Sequence, residues 1–147
     1  MRQAYHLIHN GLMKVKDFQN REYNWPPADR VANFDDTSNK SELHLKCRQL
    51  LRELYPTRPP LEEVPIPGTQ LRFDFVLPQR RICIEVQGEQ HSQDNRFFFN
   101  DRLSFGKAQQ NDKKKKEWCS LNNLLLIELL FDEDIDDWKD KILLAKH

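Results

Sequence analysis

Asp74 and Glu85 are two carboxylates whose spacing points to a shared task. They lie in the runs Leu71-Arg72-Phe73-Asp74-Phe75-Val76-Leu77 and Ile82-Cys83-Ile84-Glu85-Val86-Gln87, separated by Pro78-Gln79-Arg80-Arg81. A strand alternates its side chains with a period of two, so Leu71, Phe73, Phe75 and Leu77 are expected on one face and Arg72, Asp74 and Val76 on the other. If the four intervening residues form the hairpin loop, Leu77 pairs with Ile82, and counting back sets Asp74 opposite Glu85. Like charges placed cross-strand destabilise a sheet. Between apolar strands such a pair is better explained as a holder of a divalent cation, for which hard carboxylate oxygens are suited. The bland alternative is two solvated acids on an exposed hairpin face. Gln87 shares the face of Glu85.

The elements that must position this pair follow from periodicity. Leu43, Cys47, Leu50, Leu51 and Leu54 recur at helical spacing, predicting a helix from Lys40 to Tyr55 that Pro56 stops. A Pro-rich link, Thr57 to Gly68, contains a short edge strand near Glu63 to Ile66 and leads into the hairpin. Phe97 to Ser120 reads as helix in two pieces hinged at Gly106, Leu124 to Leu130 as a buried strand, and Ile135 to Lys146 as an amphipathic helix with favourable acids at its start. The order helix, strands, helix, strand, helix predicts an α/β fold, a mixed β-sheet flanked by helices. Residues 1–38 are polar and aromatic, broken at Trp25-Pro26-Pro27, and are expected as an N-terminal extension preceding a domain over 39–147. Tyr23 and Trp25 in that arm are candidates for wrapping a partner. Phe97, Phe98, Phe99 and Phe105 suggest core or interface, while Trp118 and Trp138 fit core positions.

Composition narrows the class. At 147 residues, with 38% hydrophobic and 31% charged residues, the chain suits one soluble globular domain. The longest apolar run, Leu124 to Phe131, is interrupted by Glu128 and falls short of the roughly 20 residues that span a bilayer, so no membrane partner is expected. The start of the chain has no signal-peptide core. Three widely spaced cysteines argue against a disulfide frame or a zinc site, which fits a reducing cytoplasm. Net charge is zero. Any case for nucleic acid therefore rests on local clusters, of which Lys107 with Lys113 to Lys116 is the basic one.

Phe73-Asp74-Phe75 followed by Ile84-Glu85-Val86-Gln87 resembles the PD-(D/E)XK nuclease signature, with Phe in place of Pro and Gln in place of the customary Lys. Gly88-Glu89-Gln90-His91 is similar to the Gly-x-x-His that follows the same strand in very-short-patch-repair endonucleases and the related EDxHD homing enzymes. The resemblance runs from about Ser41 to Leu130 and includes a later Asp112-x-x-Lys115 helix. It implies a restriction-endonuclease-like core that hydrolyses phosphodiester bonds in DNA with Mg²⁺, Mn²⁺ being an alternative ion. Asp74 and Glu85 would hold the metal, the Val86 carbonyl would supply another oxygen, and Glu42, early in the first helix, would reach it through water. A rival role for Glu42 is a capping box with Asn39.

The remaining residues take their expected roles partly from this resemblance and partly from their own chemistry and helical position. The family lysine stabilises developing charge or orients the nucleophile; Gln87 carries no charge, though its amide can hold a water. His91 is a candidate base, acid or phosphate contact, since its ordinary pKa lies near neutrality. Ala108, Asp112, Lys115 and Cys119 fall within about 60° of one another on a helical wheel, so Lys115 is the inward member of the lysine run. It is expected to replace the charge absent at Gln87, with Asp112 orienting it. Lys113, Lys114, Lys116 and Gln110 are left as outward candidates for DNA contact. His6, His9, His44 and His147 have no such context.

The leading expectation is thus a metal-dependent DNA endonuclease, of the nicking or homing type found in phages and mobile elements, that relies on a homodimer or a recruiting protein for site choice. The runner-up is a catalytically weak relative that binds nucleic acid or protein partners without turnover. A third reading is a structure-specific nuclease acting on junctions or RNA, because backbone cleavage does not require base readout.

Overall fold

The computed structural model describes residues 12–33, 35–88 and 99–147, with side chains in the last stretch described from residue 106. Six strands and three α-helices occur among them: β1 (Met13–Lys16), β2 (Glu22–Trp25), α1 (Glu42–Leu54), β3 (Leu61–Pro65), β4 (Arg72–Leu77), β5 (Ile82–Gln87), α2 (Phe99–Leu121), β6 (Leu125–Leu130) and α3 (Ile135–Leu143). Strands β3-β4-β5-β6 form a mixed sheet in that order, antiparallel except for the parallel β5–β6 pair, and β1–β2 form a separate hairpin. The parallel pair requires a crossover; α2 lies in that connection. No helix among the described residues is long and apolar enough to cross a membrane.

Two apolar layers cover the sheet. Cys47, Leu50 and Leu51 of α1 and Trp138 and Ile142 of α3 pack with Phe75, Leu77, Ile82 and Ile84. Trp118 and Cys119 of α2 pack with Phe73, Val76 and Cys83. Phe73 therefore does not share a layer with Phe75 and Leu77, contrary to the simple alternation expected from the sequence. The reason lies on the neighbouring strand. Glu62 pairs with Phe75 and Val64 with Phe73, but the intervening Glu63 has φ of 50°, in the left-handed region, and forms no ladder pair with Asp74. Both strands rotate at this point, and Asp74 sits on the rotation.

Several local features differ from the sequence reading. Ser41, not Asn39, caps α1, its Oγ accepting the His44 N–H at 3.0 Å; Asn39 instead occupies a left-handed turn position. Helix α2 runs through Gly106 without the expected hinge. A helical glycine costs only about 1 kcal/mol, which a helix of 23 residues with a packed C-terminal end absorbs. Residues 12–33 of the expected N-terminal arm contribute core: Trp25 is 1% exposed and meets Trp118 and Phe73 edge-on, with ring centroids at 5.1 and 6.1 Å. Its Nε1–H donates to the Pro65 carbonyl, and the Tyr23 hydroxyl donates to Asp17. Trp25 is thus a core residue and not a surface for wrapping a partner.

The β4–β5 turn has the expected four residues, and Leu77 pairs with Ile82. Its two arginines brace helix ends. Arg80 donates to the carbonyls of Ile142 and Ala145 at the end of α3, and Arg81 to those of Asn122 and Asn123 just beyond α2. Cationic side chains are favoured where a helix presents free carbonyls.

Candidate metal centre

The β4–β5 ladder pairs Phe75 with Ile84, and the next position brings Asp74 beside Glu85. There, side chains take the place of backbone pairing. The Asp74 N–H donates to Glu85 Oε2 at 2.9 Å, and the Val86 N–H donates to Asp74 Oδ2 at 2.8 Å. Each carboxylate is thereby aimed across the strand pair, and each is held by a backbone donor, the kind of support that fixes an anionic group without freezing a long side chain.

Helix α2 completes the arrangement. Lys115 Nζ contacts Glu85 Oε1, with only 14% of the lysine side chain exposed. The expected inward position of Lys115 is therefore found, beside the strand that carries Gln87. Gln87 is buried and, together with Gly88, Asp112, Glu128, Leu130, Phe131 and Asp132, lines a cavity of about 150 Å³. Burial pushes the Glu85 carboxyl up, and the charge of Asp74 pushes it further; the ammonium of Lys115 and the Asp74 N–H oppose them, and the balance stands at about 8. Glu85, this buried and this close to a second acid, ionises cheaply only with a cation beside it.

The other expected residues distribute as follows. Val86 takes part through its N–H. Glu42 is exposed on the first turn of α1, outside the bonds that join Asp74 to Glu85. Lys113 is exposed with Glu117 4.0 Å away, Lys116 is exposed and 3.3 Å from Glu128, and Lys114 and Gln110 are exposed. His91 lies outside the described residues, as do Phe97, Phe98 and the side chains of Phe99 and Phe105.

One cluster was missed by sequence reasoning. His44, treated there as bland, contacts Glu62 Oε1 through Nε2 and stacks on Phe75 with ring centroids 4.5 Å apart. Arg48 donates to the same Glu62 oxygen through Nε and Nη2 and to the Asp36 carbonyl through Nη1. Burial works to raise the Glu62 carboxyl, but the bonds and charges of His44 and Arg48 outweigh it and hold it below the usual range. Lys40 pairs with Glu63 at 2.7 Å. The available signal was the four-residue spacing of His44 and Arg48, one stripe of a helix, with Lys40 just before that helix and the acidic pair Glu62-Glu63 further along the chain.

Among the described residues, no group of three or more His, Cys, Asp or Glu side chains converges to hold a metal. Asp74 and Glu85 still fit Mg²⁺, which keeps several waters and is commonly bound through one or two carboxylates. No family model matches the chain, and no solved structure does. Over 143 residues the chain is 26% identical to uncharacterized protein 033L of invertebrate iridescent virus 3, a match covering 89% of this chain and 74% of that protein.

Proposed function

We propose that this chain is a metal-dependent nuclease of the PD-(D/E)XK type, with a restriction-endonuclease-like core, that hydrolyses phosphodiester bonds in DNA. The observation that carries the reading is the crossed bonding of Asp74 and Glu85 with Lys115 on the same carboxylate. A mixed sheet with helices packed on both faces is compatible with such a core.

Asp74 and Glu85 would hold the ion, which when bound supplies Lewis-acid polarisation of the phosphate and a more acidic water. Lys115 supplies the cationic group that Gln87 lacks, placing it where negative charge develops on the phosphoryl oxygens. The Asp74 and Val86 amides keep the two carboxylates from rotating away, so the geometry is set before substrate arrives. Exposed Lys113, Lys114 and Lys116 on the same helix offer sequence-independent contacts to a phosphate backbone.

The test is incubation of supercoiled plasmid with the protein and Mg²⁺, Mn²⁺ or EDTA, beside Asp74→Asn. Nicked or linear product that depends on the metal and is lost in Asp74→Asn supports the reading. Plasmid binding without cleavage under every metal condition would replace it with a nucleic-acid-binding protein on the same scaffold.

A further inference from the structure

The His44–Glu62–Arg48 cluster lies on the α1 side of the sheet, yet it bears on the strand that carries Asp74. Glu62 is the ladder partner of Phe75, and Phe75 is the next residue after Asp74. The His44 ring lies over the Phe75 ring at 4.5 Å with an interplanar angle of 29°. That ring is itself fixed, because Nε2 engages Glu62 and Arg48 anchors Glu62 by two further bonds. All three members of the cluster are buried, at 7% exposure for His44, 3% for Arg48 and 8% for Glu62. Charged groups are seldom retained inside unless they are paired, and replacing such a cluster with apolar residues often costs nothing in stability. Its presence here asks for a role beyond holding the fold.

The rotation of β4 supplies one. Phe75 packs on the α1 side and Phe73 on the α2 side, so the backbone must turn at Asp74, and at that point the Asp74 carboxylate reaches sideways to the Val86 N–H. The left-handed Glu63 turns the paired strands here, and a Phe75 free to leave its layer would let the adjoining Asp74 rotate out of line with Glu85, since neighbouring side chains point to opposite faces. We propose that His44 is a positioning residue for the candidate metal centre: its ring holds Phe75 on the α1 side and thereby keeps Asp74 turned toward β5. Glu62 and Arg48 act through His44 by fixing the ring plane. The proposal deepens the nuclease reading given above, and its primary readout does not depend on any metal.

Amide hydrogen exchange followed by NMR tests it on the whole chain. In the wild type the Asp74 and Val86 amides are bonded to carboxylates and should be protected. His44→Ala and His44→Gln, which remove the ring, should exchange at these two amides at least tenfold faster, whereas core amides such as that of Leu129 keep their rates. His44→Phe, which keeps a ring over Phe75, should restore protection. Mn²⁺ titration should show half-saturation moved upward about tenfold in His44→Ala and restored in His44→Phe, with unchanged stoichiometry. Simple destabilisation would accelerate all core amides together and lower the bound fraction without moving half-saturation. Uniform acceleration, or failure of His44→Phe to protect Asp74 and Val86, overturns the positioning role. If the exchange pattern appears as expected but the wild type binds no Mn²⁺, the positioning of Asp74 stands and the metal-centre reading fails.

Discussion

Lys115→Met removes the ammonium from Glu85 while keeping an apolar stem of similar length, and the structure fixes how its cost must vary with pH. Glu85 has an ordinary pKa of 4.5 in the unfolded chain and about 8 in the folded one. The folded state therefore holds a proton that the unfolded state releases between these values. The corresponding stability is complete below pH 4.5 and falls by about 1.4 kcal/mol per pH unit until roughly pH 8, where it levels off. Lys115 is one of the groups pulling that folded value down. Without it the fall continues beyond pH 8. At pH 7, below the folded value of Glu85 in the wild type and further below it in the variant, this source adds little, well short of the roughly 3–5 kcal/mol lost when an obligately ionised buried pair is broken. At pH 9 the wild type has levelled off while the variant is still losing stability, by up to about 1 kcal/mol more, which for a domain of this size is about 2–4 °C in Tm. Calorimetry of both proteins at pH 7 and pH 9 in EDTA isolates the effect, since lost packing of the lysine stem is common to both conditions. An equal Tm deficit at the two pH values, or a larger one at pH 7, would refute the argument that Lys115 holds the titration of Glu85.

Further consequences concern the hairpin turns and the surface. Gly68 has φ of 80°, and a Cβ there would come within 2.5 Å of Asp17 Cβ; Gly68→Ala should cost about 2 kcal/mol, seen as a drop of roughly 4–8 °C in Tm. For the buried Asp17, burial acts to raise the carboxyl, but four hydrogen bonds from Arg21, Tyr23 and Gln19 hold it down at about 2. Its contribution is present above pH 3.8 and lost as pH falls toward 2, so Asp17→Asn should flatten the acid limb of a urea-midpoint profile relative to wild type. If Lys114 touches a DNA phosphate, Lys114→Gln should lower the slope of log K against log salt by about 0.9, measured by fluorescence anisotropy, with turnover at saturating DNA unchanged.

The carboxylate pair was legible because two short-range rules sufficed. A four-residue loop set the register from Leu77 and Ile82, and a count of three along each strand brought Asp74 to Glu85. Lys115 was legible for a similar reason, since the helical period of 3.6 residues turns it inward while its three neighbouring lysines point elsewhere. What the sequence concealed depends on partners distant along the chain. The left-handed Glu63 that turns β4 and sends Phe73 and Phe75 to different layers carries no local marker, being neither glycine nor asparagine. Trp25 stands next to two prolines and among polar residues, so its burial between Phe73 and Trp118 rests on contacts with residues 48 and more positions away. His44 became meaningful only when α1 was laid over β3 and Glu62 was found beneath it.

Mn²⁺ reports directly whether Asp74 and Glu85 together trap a divalent cation, because the bound ion loses the sharp EPR signal of the hydrated one. Titrating the wild type, Asp74→Asn and Glu85→Gln with Mn²⁺ at pH 8.5 should show saturable loss of the free signal in the wild type and weakening by at least tenfold in each variant. Equal Mn²⁺ binding by all three proteins, or none by the wild type at millimolar metal, would mean that Asp74 and Glu85 do not form a cation site.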